Sequence, residues 1–514
     1  MMPLLTPALV RAGKASPAVS LPAPALLDLP EKVLQFGTGV LLRGLPDFLI
    51  DQANRQGLFN GRVVVVKSTD GGDASAFTRQ GALYTVCVRG MEEGQPVTQN
   101  VVCAALSRVL SARSQWADVL AFATSPDLQV VLSNTTEIGI ELLDGEDIRA
   151  VPPRSFPGKL LAVLWVRFQA FGGAPDKGLV IVPTELIPEN GTKLHAILRT
   201  LAERQALGVD FLHWLDTAND CCNSLVDRIV PGAPGAGAQA VLQAELGYAD
   251  ELLITAEAYR LWAIEGGPRV RQALSFAPAD PGIFIQPDIT LFRELKLRLL
   301  NGTHSLSCGL AVLAGCLTVR AAMDDRNMAT FVHNLMLANL LNGIAYPIDE
   351  KVSQRFGMQV LDRFRNPAVE HCWLAITLNF SAKLRLRAVG PLVHYSQRFG
   401  AVPQYVALGW AAYLLFMRGK TQDAKGTWHG CLPDGSAYPI QDEQAGYFAN
   451  LWQTLPLEDL VAAALANTDL WDQDLGALPG FKAAVGQHLA HLLAHGAPAA
   501  VATLLDRAIA TPAE

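Results

Sequence analysis

The stretch "VLQFGTGVLLRG", residues 33–44, sets Gly37 and Gly39 directly behind a short apolar run and Gly44 before a helical stretch. Glycines at such a turn let the backbone approach a pyrophosphate, with the helix N-terminus offering N–H groups. The spacing is G-x-G-x-x-x-x-G rather than G-x-G-x-x-G, and the same residues also suit a tight strand-to-helix turn without a ligand. The surroundings decide. "KVLQF" (32–36), "RVVVVK" (62–67), "LQVVLSN" (128–134) and "GLVIVPTE" (178–185) are short and apolar without alternation, as strands buried on both faces are. Stretches with helical spacing lie between them, such as "LPDFLIDQANRQG" (45–57), with Pro46 near its start and Gly57 at its stop. Strands alternating with helices predict an α/β fold on a parallel sheet, and the glycine turn then reads as a dinucleotide site.

An acid usually ends the second strand of such a unit and binds the adenosine ribose. Lys67 stands there instead, and Asp70 is the nearest acid beyond it. A lysine tolerates a 2′-phosphate, so this stretch leaves NAD and NADP both open. "SNTTE" (133–137) ends a later strand, where Asn134 would line the same crevice or serve in a helix cap.

The 514 residues exceed one ordinary core and predict two domains. Half are apolar and 17% charged, the proportions of a folded globular chain. The net charge of −7 and the lack of a basic run argue against nucleic acid as a partner. The eight cysteines include no C-x-x-C pair, which fits reduced thiols in a cytoplasmic protein and predicts no metal site. No run of about eighteen consecutive apolar residues occurs, so no membrane span is expected. Residues 1–29, rich in Pro and Ala, are expected to form a disordered tail. Turn signals in "ADPGIFIQPDIT" (279–290) mark a boundary, beyond which the chain is Leu- and Ala-rich and reads as long helices. "GCLPDGSAYPIQDEQ" (430–444) reads as a loop within that half.

"ELKLRLLNGTH" (294–304) places Lys296, Asn301 and His304 among leucines. On an ideal α-helix Asn301 and His304 lie about 140° and 80° from Lys296, so all three point to one side. Asn301-Gly302 is also a turn signal. Singly, Lys296 suits a snorkelling surface residue, Asn301 a cap and His304 a bonded core histidine. Together they suit alcohol oxidation by hydride transfer. A neutral lysine takes the hydroxyl proton, an asparagine N–H steadies the alkoxide, and a histidine orients a neighbouring hydroxyl.

"KLRLLNGTH" has the K-x-x-x-x-N-x-x-H pattern of the polyol-specific long-chain dehydrogenases, the mannitol dehydrogenase family. The chain resembles that family over roughly residues 30–450, through "QFGTGVLLRG", "VLSNTTEIGI", "DKGLVIVPTELIPENG", "SLVDRIVPG" and "RFRNP" as well. The resemblance implies a Rossmann-type dinucleotide-binding domain at 30–285 and a mainly α-helical catalytic domain at 286–514. It implies metal-independent catalysis with NAD, with Lys296 as general acid/base, Asn301 in the oxyanion hole, His304 on the substrate, and Gly37 and Gly39 on the cofactor loop. Asn190 is the candidate for a second oxyanion residue, although Glu185 and Leu186 depart from the "C-D-N" of the mannitol enzymes. Asp227 either orients the lysine's surroundings or pairs with Arg228. The substrate implied is an open-chain keto-uronate, most closely D-tagaturonate reduced to D-altronate, with fructuronate or an uncharged ketose as alternatives. A nucleotide-sensing protein without turnover is the rival from another class. A uronate carboxylate calls for cations. Lys383 and Arg387 are the candidates, from a group that also holds Arg385, Arg363 and Arg365. The oligomeric state is left open.

Overall fold

The computed structural model describes residues 2–68, 74–135, 139–432 and 434–510. The chain forms two compact units. The first runs to Ile289, apart from Met91–Gly94, which belongs with Thr290 onward to the second.

The first unit is built on six parallel strands: β1 (Glu31–Phe36), β2 (Arg62–Lys67), β3 (Leu106–Ser111), β4 (Val130–Ser133), β5 (Val180–Pro183) and β6 (Asp220–Cys221). Their spatial order is β3-β2-β1-β4-β5-β6. The order reverses between β1 and β4, and the carboxyl ends of strands at such a switch point make the ligand crevice of open α/β sheets. Side chains alternate across the sheet, so each strand feeds two cores. Val33, Val63, Val65, Val130, Leu132, Val180 and Val182 enter one buried cluster. Leu34, Phe36, Val64, Val66, Val131 and Ile181 enter the other. Burial on both faces explains the unbroken apolar runs of β1, β2, β4 and β5. Two smaller sheets complete the unit, one holding Tyr84–Glu92, Gln95–Cys103 and Ile254–Glu257, the other Ser224–Asp227, Leu261–Glu265 and Ile283–Gln286.

The expected disordered tail is corrected. Residues 2–29 fold onto the first unit. Thr6 caps the helix Pro7–Arg11, and Val19–Ser20 pairs in parallel with Asn100 and Val101. Leu5 donates its N–H to Ala249 O at 2.9 Å, and Ala249 returns one to Pro3 O at 2.8 Å. Leu5, Leu9, Val10 and Leu27 enter a core with Leu83, Val102, Tyr248 and Leu253. A few well-spaced leucines outweigh a composition that otherwise reads as loose chain.

The second unit is mainly helical. Gln404–Phe416 is apolar all round and buried, and it packs on Thr303–Leu313 and on Phe481–Ala510. Within the last of these, Phe481–Arg507 is long and apolar enough in composition to cross a membrane. It is not one straight helix. Gly496 leaves helical geometry at φ 78° and ψ 171°, and Pro498 follows. Its Val485, Leu489, Leu492 and Val501 are buried. The expected loop at 430–444 is also corrected, because Trp428–Cys431 and Ala437–Ile440 pair as antiparallel strands, with Thr421–Gln422 beside them.

Leu5→Ala should lower the unfolding free energy by about 2–5 kcal/mol, the usual cost of emptying a buried leucine site. Urea denaturation checks this. A loose tail would give no change.

Candidate active site

β1 ends at Phe36, and the chain turns at Gly37 with φ +123°. A Cβ there would stand 3.0 Å from both Asn134 O and Leu42 Cδ1, so dihedral and space both require glycine. Gln35 fixes this turn: its Nε2 donates to Gly37 O and to Asp47 Oδ2, each at 3.2 Å. Burial pushes the Asp47 carboxyl up to about 7. Gly39 precedes the helix Val40–Gly44, and nothing lies within 4 Å of where its Cβ would be. Backbone is therefore open to a ligand on that side. Gly44 has a packing role instead, since a Cβ would meet Val230 at 2.8 Å.

Asn134 stands beside Gly37 at the end of β4. Its N–H bonds Phe36 O at 3.2 Å, and its Nδ2 donates to Thr184 O and Oγ1 at 2.9 and 3.0 Å. Among the described residues the next helix begins at Phe156, so Asn134 caps no described helix. Buried Glu185 ties this loop down. It accepts from Ser133 Oγ at 3.1 Å, Thr135 N at 2.8 Å and Thr135 Oγ1 at 3.0 Å. Its sequence signal was only an acid directly behind a buried strand. Lys67 closes β2 next to β1. Asp70 lies outside the described residues.

Asn190 is corrected as an oxyanion residue. It is 0% exposed. Its Nδ2 donates to the carbonyls of Pro183, Glu185 and Ser224 at 3.1, 3.0 and 3.2 Å. Its Oδ1 accepts from Gly191 N and Ser224 N, both at 2.9 Å. The amide is saturated inside the first unit and has nothing left for a substrate oxygen. Asp227 ends the strand Ser224–Asp227, and its neighbour Arg228 donates to Glu257 O and Gly44 O.

In the second unit one continuous helix runs through Thr290–Leu295, Lys296–Gly302 and Thr303–Leu313. Its middle is a π turn. Asn301-Gly302 does not break it, for Gly302 stays helical at φ −64° and ψ −45°. The π turn changes the alignment read from the sequence. It holds about 4.4 residues, so five residues overshoot one turn by only about 50° instead of 140°. On that geometry Lys296 and Asn301 lie nearer to one line along the helix than an α-helix would set them, and both are partly buried.

His304 follows on the same helix. Its ring stacks on Phe364 at 4.4 Å and meets His371 and Trp373 edge-on at 5.2 and 5.8 Å. Burial holds its pKa well below 6.5, and the positive charges of His371, Arg363, Arg387 and Lys383 lower it further. The imidazole is therefore neutral. Its Nε2 is buried without a hydrogen-bond partner.

The cations come from two short segments. Lys383 bonds Ile376 O at 3.1 Å, and Arg387 donates from Nη1 to Ser305 Oγ at 3.0 Å, while Arg387 Nε is buried with no partner. Burial lowers the pKa of both. Arg385, between them, turns outward to Asp472 at 3.5 Å, and Arg365 lies 3.8 Å from Asp362. The structure thus gathers Lys383, Arg387 and Arg363 about His304 and leaves Arg385 and Arg365 aside. His371 was missed, because a lone histidine in an irregular stretch carries no pattern. Among the described residues no three His, Cys, Asp or Glu side chains gather as a metal site needs.

A parallel sheet with a glycine turn at its switch point, and a separate helical unit bearing a lysine-asparagine turn, define a dehydrogenase acting on CH–OH groups. The chain belongs to the mannitol dehydrogenase family: residues 31–276 match the Mannitol dehydrogenase Rossmann domain and residues 288–493 the Mannitol dehydrogenase C-terminal domain. Among its curated relatives is an altronate oxidoreductase of Yersinia enterocolitica, 36% identical over 92% of this chain and 96% of that one. Another, from Halalkalibacterium halodurans, is 37% identical over 87% and 88%. Among solved structures, Pseudomonas fluorescens mannitol 2-dehydrogenase, in complex with NAD and D-mannitol, aligns over 96% of this chain and 98% of its own at TM-score 0.63 and 21% identity. A D-sorbitol dehydrogenase aligns over 98% and 100% at TM-score 0.76 and 20% identity. The two structures share the fold.

Asn190→Ala should cost about 3 kcal/mol of unfolding free energy, because it strands buried backbone groups. The folded fraction should keep its substrate KM within about twofold. Denaturation curves run beside steady-state kinetics check this, and an oxyanion role would reverse the pattern.

Proposed function

We propose that this chain is an NAD-dependent reductase of an open-chain keto-uronate, most closely D-tagaturonate to D-altronate, working in both directions. The observation that carries the reading is the pair of buried, unpartnered polar atoms, His304 Nε2 and Arg387 Nε, set among Lys383 and Arg363. A carboxylate at one end of a sugar chain fits that cationic surrounding, and a forked guanidinium suits it best. Altronate oxidoreductases are among the relatives matched over nine-tenths of the chain, which supports the same substrate class.

The turn at Gly37 and Gly39, with Asn134 beside it, fits a nicotinamide dinucleotide, which supplies the hydride when bound. NAD is the form in the mannitol 2-dehydrogenase complex. The substrate belongs to the second unit. During reduction the Lys296 ammonium gives a proton to the carbonyl oxygen as it becomes a hydroxyl; during oxidation the neutral amine takes it back. Asn301, on the π turn with Lys296, donates an N–H to the same oxygen and stabilises it while its charge is largest. Neutral His304 holds a neighbouring hydroxyl. Lys383 and Arg387 hold the carboxylate and so fix which carbon stands at the lysine.

NADH consumption with D-tagaturonate, D-fructuronate and D-fructose tests this. Tagaturonate should be turned over fastest. Lys296→Ala should lower kcat by about 10²–10⁴ while NADH binding persists. Arg387→Ala should raise the KM for tagaturonate by about 10–100-fold, the worth of a charged hydrogen bond. A faster reaction with fructuronate or fructose overturns the substrate, and NADH binding without any turnover overturns the enzyme.

A further inference from the structure

Among the described residues three π turns occur, and the one that carries Lys296 and Asn301 packs on both others, Leu335–Leu340 being one. The other, Arg385–Val389, carries Arg387. Widening a helix to i→i+5 bonding shifts carbonyl groups away from their usual donors and frees them for a donor from elsewhere. Arg298 is that donor. Its Nη1 reaches Leu386 O at 2.6 Å and Arg387 O at 3.3 Å. Its Nε is held by Glu294 Oε2 at 3.0 Å, and its side chain is only 16% exposed. The guanidinium lies against Gly390, with Nη2 3.7 Å from where a Cβ would stand. Arg387 reaches the other way, to Ser305 Oγ, one residue beyond His304. The two turns are therefore tied in both directions, each by an arginine of one bonding the other's helix.

We propose that Arg298, oriented by Glu294, is a positioning residue that fixes the spacing between the proton-transferring Lys296 and the carboxylate-holding Arg387. The inference rests on the keto-uronate reading above. Arg298 sits two residues after Lys296 and grips the main chain at Arg387 itself, so it sets the distance between the two ends of a bound sugar acid. A lysine at 298 offers one point charge and does not reproduce the fork that serves Glu294 and two carbonyls at once.

A double-mutant cycle tests it. Arg298→Met, Arg298→Lys and Glu294→Gln are made in the wild-type and the Arg387→Ala backgrounds and assayed with D-tagaturonate, with NADH affinity and Tm measured on each. In the wild-type background Arg298→Met should raise the KM for tagaturonate by about tenfold or more, with Arg298→Lys and Glu294→Gln between it and wild type. In the Arg387→Ala background the same changes should leave KM unchanged, because the residue they act through is gone. NADH affinity should hold in every variant. Should Arg298→Met fail to fold, the two milder variants carry the cycle. Additive effects in the two backgrounds, or a wild-type KM in the Arg298 and Glu294 variants, would overturn the positioning role while leaving the substrate reading intact. A wild-type enzyme that binds NADH but ignores tagaturonate would overturn that reading and this inference with it.

Discussion

A helix widens into a π turn only where its displaced main-chain groups find other partners and its new side-chain alignment is held by packing. The second unit meets both conditions at Lys296–Gly302. Arg298 supplies donors across the neighbouring turn, and buried Leu299 and Leu300 hold the backbone in place. What the widening gives is alignment. In the proposed reaction Lys296 and Asn301 serve one oxygen atom, and a regular helix would set them about 140° apart.

In the proposed function the two units bind anionic groups differently. The first uses main chain. Gly37 and Gly39 expose the backbone, and Gln35, Asp47 and Glu185 hold the surrounding loops still. The second uses side-chain charge. Lys383, Arg387 and Arg363 crowd about a neutral histidine, and burial disfavours the charged forms of the first two. Such a cluster is electrostatically uncomfortable without an anion, and a bound carboxylate relieves it. Aromatic walls, Phe364 and Trp373, keep His304 in place without using its ring nitrogens. Its Nε2 is left without a hydrogen-bond partner.

Much of this was legible before any coordinates. β1, β2, β4 and β5 were readable because both their faces are buried, which leaves an unbroken apolar run. β3 and β6 were not, for they stand at the sheet's edges; β3 mixes Ser107 and Arg108 with its apolar residues, and β6 has two residues. The N-terminal segment escaped because its few leucines act through partners far along the chain. Asn190 was misread because Asn-Gly before a helix looks the same whether the amide faces a ligand or the core. The π turn was invisible in principle, since the same residues build α and π turns and only tertiary partners choose between them. Lys383 and Arg387 could be found because a uronate carboxylate calls for cations and "AKLRLR" sets several together, but only the structure turns Arg385 away, toward Asp472.

The clasp of residues 2–29 on the first unit also orders events in time. Val19 pairs with Asn100, and Leu4 bridges to Ala249. Their apolar side chains have no home until those distant segments come together with them. Pairings this distant in sequence are slow to form. Residues 2–29 are thus among the last parts of their unit to settle.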